Sequence, residues 1–514
     1  MTLAPAPSTR TPQTADRGPV IALNPATGAE LGRVPDLGAE DVRALVERAR
    51  LAQPAWEALG FAGRGRLLTR VRSWVMDHAE ELIAAIQAET GKVFEDAMIE
   101  VGTLAGALAF WTRHAPRYLA DERIRSLNPF VLGKGLRVRY VPRAVAGVIA
   151  PWNYPVALGL GDAVPALAAG CCVVLKPSEV TPMSSLLLER ALVECGVAEG
   201  VFQVATGRGE TGAALVDEAD VIMFTGSTAT GRKVLERAAR TLTPVTVELG
   251  GKDPLLVLAD ADLERAANTA VYGAMVNSGQ VCMSTERVYV EASVYDDFVR
   301  RVVEKVSRLR QASPGGPGTA EVGGITFAPQ LDTIDRHVHD AVDRGARVLC
   351  GGRRRPGTGR FYEPTVLVDV DHTMACMREE TFGPLLPIVK VADADEAVRL
   401  ANDSGYGLAA TVFARDVRHG EAIARRIRAG TVSVNDILTH YMAMAMPMGG
   451  LKSSGLGGRH GAEGIRKFCE RRAYCVSRWH LRRDIHTYPY SPGRTRLLLR
   501  TLRVLYGSRR GGGR

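Results

Sequence analysis

The chain has 514 residues, several times the length of one domain, with 46% hydrophobic and 24% charged residues, which excludes a mainly disordered or fibrous protein. Its net charge of +9 does not make the body a binder of polyanions: seven arginines and no acid lie between Arg494 and Arg514, and the other 493 residues hold only +2. Eight cysteines, without a CxxC pair or the dense spacing of a disulfide framework, exclude a disulfide-stapled fold and suit a reducing cytoplasm.

Residues 1–18 mix Pro, Thr, Ser, Arg and Asp without the apolar centre of a secretion signal, so a disordered leader is expected. No later run reaches the roughly 18 uninterrupted apolar residues of a membrane span, and a soluble protein is expected. A β-like opening at Asn24–Gly28 leads into two amphipathic helical patterns, Ala39–Leu59 and Arg64–Thr90, with apolar residues three and four apart. Leu127–Arg143 alternates apolar and basic residues as a half-exposed strand pair would. From Val145 short β-branched runs alternate with helical stretches: AVAGVIA, a helix near Leu158–Ala169, CCVVLK, a helix from Pro182, VFQVATG, VIMFTGS, a helix from Thr230, and TPVTVELGG. That alternation predicts βαβ units and a mainly parallel sheet covered on both faces. A second α/β region runs from Pro254 to about Met448, with strands at ERVYVE, RVLCGG, TVLVDV, LLPIVKV and LAATVFA.

Residues able to carry chemistry gather at the ends of these strands, where open α/β sheets place their sites. FTGSTATG sets Gly226, Ser227 and Gly231 in a strand-to-helix turn whose free N–H groups and helix dipole suit a phosphate. Glycines there equally serve as turn residues, and the spacing departs from the GxGxxG fingerprint. NSGQVCMS surrounds Cys282 with small and polar residues, although an isolated intracellular thiol is often plain core. Glu248 closes the strand in VELGGKDP, either facing a cleft or standing as an exposed loop acid. In PWNYP, Asn153 offers an amide to a developing oxyanion or caps the next helix. KPSE presents Lys176 and Glu179 for ribose hydroxyls or as an exposed turn, and EETFGP presents Glu380 and Phe382 in a turn that is otherwise surface.

In this order, PWNYP, KPSE, FTGSTATG, ELGGKDP, GQVC and EETFGP resemble the aldehyde dehydrogenase superfamily, over about Asn24 to Arg472. The resemblance implies an α/β fold. A Rossmann-like cofactor domain would span 19–126 and 144–251, a second α/β catalytic domain 252–450, and a small β bridging extension for oligomerisation 127–143 and 471–482, with a basic tail at 483–514. It implies Cys282 as the nucleophile on the aldehyde carbon, Asn153 and the Cys282 backbone N–H as oxyanion donors, and Glu248 as the general base that admits water to the thioester. It also implies a cofactor-binding set of Trp152, Lys176, Glu179, Gly226, Ser227, Gly231, Leu249, Glu380 and Phe382, and no metal. Within that set Lys176 and Glu179 belong to the adenosine ribose, and Glu380 and Phe382 to the nicotinamide ribose. NAD is expected, because the Glu179 carboxylate repels a 2′-phosphate, with NADP the alternative because Lys176 softens the repulsion. The bridging strands imply a homodimer or homotetramer, since their edges need cover.

The stretch MPMGGLKSSGLGGRHGAEGIRKFCERRA resembles two branches of that superfamily, one acting on succinate semialdehyde and one on medium- or long-chain and aromatic aldehydes. A substrate carboxylate calls for a cationic clamp. Where well-studied succinate semialdehyde members carry arginines this chain has Gly161 and Val276, although a more distant bacterial group bearing the same substrate label also lacks the clamp. Tyr154, Met275, Val281, Met283, Met442, Met444 and Met446 are candidates for an apolar tunnel or for plain core. A helix over Thr495–Tyr506 would set Arg496, Arg500 and Arg503 against Leu498, Leu502 and Leu505, which suits peripheral contact with an anionic membrane or docking on a partner subunit. The rival from another class is a catalytically silent binding protein on the same fold, its tail touching phosphates. The joint presence of Cys282, Glu248 and Asn153 argues for the enzyme, and no nucleic-acid partner is expected.

Overall fold

The computed structural model describes residues 18–126, 128, 131, 133–479, 482 and 487–507, so the leader expected at 1–18 lies outside them except for Gly18. The chain divides into two compact units, Met1–Leu119 with Pro142–Glu470, and Ala120–Val141 with Arg471–Arg514.

In the larger unit Asn24–Gly28 is a turn and not a strand. Val20–Leu23 pairs antiparallel with Glu30–Val34, and Asn24 Oδ1 accepts from Ala26 N at 2.9 Å, the local bond by which Asn favours turns. Four helices follow, Ala39–Ala58, Gly60–Asp77, Ala79–Thr90 and Phe94–Tyr118. The pattern expected to run unbroken over Arg64–Thr90 is split at His78, whose backbone leaves the helical region at φ −111°, ψ 25° and whose ring stacks on Trp74. Phe94–Tyr118 has no counterpart among the expected elements.

Five parallel strands form the first sheet, in the spatial order Phe202–Val204, Cys172–Lys176, Val145–Ile149, Val221–Thr225 and Val245–Glu248, with Gly455–Leu456 added antiparallel at the edge. Numbered along the chain, the five read 3-2-1-4-5, the doubly wound order, in which the winding reverses between Val145–Ile149 and Val221–Thr225. The crevice beyond their carboxyl ends therefore lies between the segments that begin at Ala150 and at Gly226. Every residue of Val145–Ile149 and Cys172–Lys176 is buried, which is why these strands read as unbroken apolar runs. The crossover helix Gly209–Glu218 escapes the sequence pattern because two glycines weaken its short helical signal.

The second sheet has six parallel strands, Thr365–Val368, Leu385–Val391, Thr285–Glu291, Asp253–Val257, Ala409–Phe413 and Thr431–Val434, with Arg347–Cys350 antiparallel at its edge. Alternate residues feed two cores: Leu256, Tyr289, Leu367 and Val412 pack on one face, Leu255, Val288, Val366 and Phe413 on the other.

The smaller unit carries a three-stranded sheet in the order Cys469–Ser477, Lys134–Pro142, Glu122–Ile124. Leu127–Arg143 thus supplies one strand, not the expected pair. No turn signal interrupts KGLRVRYVP, and its partners come from outside the segment. The unit also holds the helix Pro492–Tyr506, whose Ser491 cap accepts from Arg494 N at 3.4 Å and whose first residue is proline. Among the described residues no helix is long and apolar enough to cross a membrane.

Candidate active site

Cys282 follows a strained loop. Asn277, Ser278 and Gly279 have φ of 51°, 57° and 73°, three left-handed residues in a row, a region only glycine enters freely. Such backbone persists where its surroundings over-determine it. Here Asn277 N donates to Asp96 Oδ2 at 2.9 Å and Asn277 Nδ2 to the Asn153 carbonyl at 3.1 Å. Gln280 ties the loop down from the other side, with Nε2 on Asn277 O at 2.9 Å and Oε1 accepting from Thr326 N at 2.8 Å. A Cβ at Gly279 would stand 2.1 Å from the Gly383 carbonyl, so the loop is pressed on the EETFGP turn, and a Cβ at Gly251 would stand 2.5 Å from the Cys282 carbonyl. The Cys282 side chain is left half-buried rather than sealed in core.

Asn153 is buried, and its Nδ2 donates to the Gln280 carbonyl at 2.9 Å. It does not cap the following helix, Leu160–Ala169, whose cap position is Gly159. A buried ion pair sets its backbone: Lys92 Nζ lies 2.8 Å from both Glu100 Oε2 and the Asn153 carbonyl, and 4.1 Å from the Tyr154 ring centre. Glu100 Oε1 accepts in turn from Val156 N and Ala157 N. Asp96 and Glu100, one turn apart on the buried face of Phe94–Tyr118, thus hold the cysteine loop and PWNYP in register. Sequence reasoning missed Lys92, Asp96 and Glu100. The available signal was two acids four apart on the apolar stripe of a helix.

Glu248, at the end of Val245–Glu248, is 3% exposed, and its Oε1 has no hydrogen-bond partner among the described residues. It is not an exposed loop acid. Burial pushes its carboxyl up to about 7, opposed by the Arg459 guanidinium and the Lys467 ammonium. The Cys282 thiol is pushed up to about 12 by burial, with Arg459 opposing and Glu380, Asp253 and Glu248 adding to the rise. Both groups are therefore neutral more often than when free in water.

The Gly226 turn adjoins this site, since Gly226 N donates to the Glu248 carbonyl at 3.1 Å. Ser227 caps the helix Thr228–Ala238, accepting from Thr230 N at 3.3 Å, so that helix starts two residues before the expected Thr230. Gly231 packs on Leu249, where a Cβ would stand 2.5 Å from Leu249 Cδ2, so a larger residue there would push the Leu249 side chain aside. The Glu380 carboxylate accepts from Gly251 N at 3.0 Å and sits where a Cβ of Gly250 would be; burial and the neighbouring Glu286 push it up to about 8. Phe382 meets Trp152 edge to face at 5.3 Å between ring centres. Lys176 Nζ is 3.1 Å from Glu179 Oε2 at the end of the neighbouring strand, and Glu179 is exposed. The structure thus gathers Cys282, Glu248, Asn153, Leu249, Glu380 and the Gly226 turn in one crevice.

The methionines divide. Val281 and Met283 pack with Cys282, Tyr154 and Tyr441, and Met444 lines a small cavity beside Tyr441. Met275 belongs to the core of the second sheet, as the plain-core alternative has it, and Met442 and Met446 are 49% and 42% exposed. Among the described residues no group of three His, Cys, Asp or Glu side chains is arranged to hold a metal ion.

The sequence model of the Aldehyde dehydrogenase family matches residues 12–474. The chain belongs to the aldehyde dehydrogenase family. It is 42% identical over 455 residues, 88% of this chain and 87% of the other, to a Mycolicibacterium smegmatis protein with the provisional name succinate-semialdehyde dehydrogenase (NADP+). It is 38% identical over 476 residues, 92% of this chain and 88% of the other, to the 4,4'-diapolycopene aldehyde oxidase of a Methylomonas species. Lactaldehyde dehydrogenase from Escherichia coli superposes with a TM-score of 0.86 at 35% identity, over 90% of this chain and 96% of that one. As an aldehyde dehydrogenase the chain is an oxidoreductase acting on aldehydes, and its α/β architecture of two largely parallel sheets is the one its structural relatives share.

Proposed function

We propose that this aldehyde dehydrogenase forms and hydrolyses a thioester on Cys282. The observation that carries the reading is a half-buried thiol and a buried carboxylate whose Oε1 has no hydrogen-bond partner among the described residues, both beside the winding reversal of a doubly wound sheet. The Cys282 thiolate adds to the aldehyde carbon, and the new oxyanion is held by Asn153 Nδ2 and the Cys282 backbone N–H. A bound nicotinamide dinucleotide supplies the acceptor for the hydride that leaves this carbon. Glu248 then takes a proton from water as the water adds to the thioester, and collapse releases the carboxylate product and the thiol. A carboxyl held near 7 suits a general base at neutral pH.

The cofactor is NAD, with NADP the alternative. Ser227 and the N-terminus of Thr228–Ala238 suit the pyrophosphate, Lys176 and Glu179 the adenosine ribose, and Glu380 and Phe382 the nicotinamide ribose, with Trp152, Gly231 and Leu249 lining the crevice. Glu380 would exchange its bond to Gly251 N for a ribose hydroxyl. The exposed Glu179 carboxylate favours NAD, while Lys176 beside it and the NADP+ in the Mycolicibacterium protein's name support NADP.

Succinate semialdehyde is the substrate that relative supports. A medium- or long-chain or aromatic aldehyde is favoured by the apolar residues around Cys282 and by the Methylomonas relative. Absorbance of reduced cofactor is expected with at least one of succinate semialdehyde, hexanal and benzaldehyde, faster with NAD than with NADP. Silence of the wild-type protein with all three, in either cofactor, would return the chain to the binding-protein class.

The exposed strand residues 471–477 support assembly into a homodimer or homotetramer. The helix Pro492–Tyr506 supports peripheral contact of a cytoplasmic protein with an anionic membrane: Arg496, Arg500 and Arg503 accompany exposed Leu497, Leu499 and Leu505, while Leu498 and Leu502 are half-buried. Truncation after Asp484 is expected to abolish sedimentation with phosphatidylglycerol vesicles and to leave aldehyde oxidation unchanged; equal sedimentation of both chains would exclude the helix as the anchor.

A further inference from the structure

A cluster of buried charge beside Glu248 takes part in none of the steps above. Arg459 and Asp162, 4% and 7% exposed, approach to 3.4 Å. Arg459 Nη2 donates to Thr225 Oγ1 at 2.8 Å and Nη1 to Tyr441 OH at 3.3 Å, so the guanidinium spans the end of Val221–Thr225, the helix Leu160–Ala169 and the short helix Thr439–Met442. Lys467 Nζ is held by the Gly458 carbonyl at 3.1 Å. A small cavity opens between Asp162, Tyr441, Arg459, His460 and Lys467 on one side and apolar residues such as Trp111 on the other, and Arg459 Nε and His460 Nδ1 have no hydrogen-bond partner among the described residues.

A guanidinium taken out of water needs anions, and removing one partner of such a pair is costly. Asp162 is one anion. The geometry shows where the rest of the positive field falls. Tyr441 joins its hydroxyl to Arg459 and packs against the same apolar cluster, Val281 and Met283 among it, as Cys282 and Tyr154, so it links the guanidinium to the patch that holds the thiol. Of the charges that act on Cys282, Glu380, Asp253 and Glu248 are negative and Arg459 is positive. Arg459 itself is faced by Asp162, Tyr441, Glu248 and Cys282, with Lys467 and His460 at the same cavity.

We propose that Arg459 is a positioning residue for the reaction: braced by Thr225 and Tyr441 and partly neutralised by Asp162, it is the buried counter-charge that stabilises the Cys282 thiolate. The proposal rests on Cys282 being the nucleophile. It gives Asp162 and Arg459 opposite effects on one thiol, whereas a purely structural pair would act in the same direction when either member is lost.

The test is the rate of iodoacetamide labelling of Cys282 against pH, followed by peptide mass so that the exposed Cys475 does not contribute. Arg459→Gln is expected to slow labelling near neutral pH about tenfold, the change in thiolate fraction for one pKa unit, and Arg459→Lys to restore part of it. Asp162→Asn is expected to speed labelling about threefold to tenfold by releasing the guanidinium's field. No change in either variant, or a change of the same sign in both, overturns the proposal. Should Arg459→Gln fail to fold, Asp162→Asn with Arg459→Lys decides alone, and unchanged or slower labelling in Asp162→Asn overturns it. If Cys282 in the wild-type protein takes no label up to alkaline pH, it is the nucleophile reading that falls, a result distinct from labelling that ignores Arg459 and Asp162.

Discussion

Replacement of Cys282 by alanine is expected to lower aldehyde-dependent formation of reduced cofactor by a factor on the order of 10⁴ to 10⁶, because covalent catalysis loses its bond-forming atom outright. No other thiol of the larger unit stands there to substitute: Cys171, Cys172, Cys195, Cys376 and Cys469 are buried elsewhere, and Cys350 lies in the edge strand Arg347–Cys350 of the second sheet. The variant should fold as the parent does, since a half-buried thiol becomes a methyl and the loop Asn277–Gln280 keeps its bonds to Asp96, Asn153 and Thr326. Retained cofactor binding by fluorescence titration, with turnover lost, is the expected pairing. A rate within about tenfold of the wild type would move the nucleophile to another residue.

Glu248→Gln is expected to slow steady-state turnover about 10²- to 10⁴-fold while sparing the first half of the reaction. One equivalent of reduced cofactor per site should appear in a burst, and the acylated Cys282 should persist long enough for detection by mass. The pH dependence has a definite sign. A general base works only when ionised, and burial raises Glu248 to about 7, so with hydrolysis of the thioester limiting the rate, wild-type turnover should fall as pH drops through about 7. In Glu248→Gln that acid limb should vanish. If the limb survives, another group owns it and the water-activating role belongs there.

Much of the architecture can be read from the chain because parallel strands covered on both faces, such as Cys172–Lys176, leave unbroken β-branched runs between helical stretches. The crevice is legible for a related reason: its residues sit immediately after those runs, where the doubly wound topology must place them. Legibility fails where a side chain's meaning depends on a distant neighbour. The spacing of Asp96 and Glu100 sets both on the apolar stripe of their helix but cannot say what they hold; the fold buries Glu100 against Lys92 and turns both acids into acceptors for backbone N–H groups. Asp162 and Arg459 are almost three hundred residues apart, and nothing local to either announces the other. The alternation in Leu127–Arg143 correctly signals a strand but cannot name partners that come from Glu122–Ile124 and Cys469–Ser477. Periodicity likewise does not separate Met275, which is core, from Met283, which faces the cysteine patch.

The two-residue strand Gly455–Leu456 joins the first sheet at its last position, with Gly455 opposite Glu248 and Leu249 N donating to the Ser454 carbonyl at 2.9 Å. The polypeptide leaves the second sheet at Thr431–Val434 and threads back to pair with the other sheet beside Glu248, the acid proposed to activate water. Pairing at that spot ties the two sheets together, by chain and by hydrogen bonds, right beside Glu248. Lengthening the return segment by a few residues would slacken that tie while leaving every reacting group in the chain.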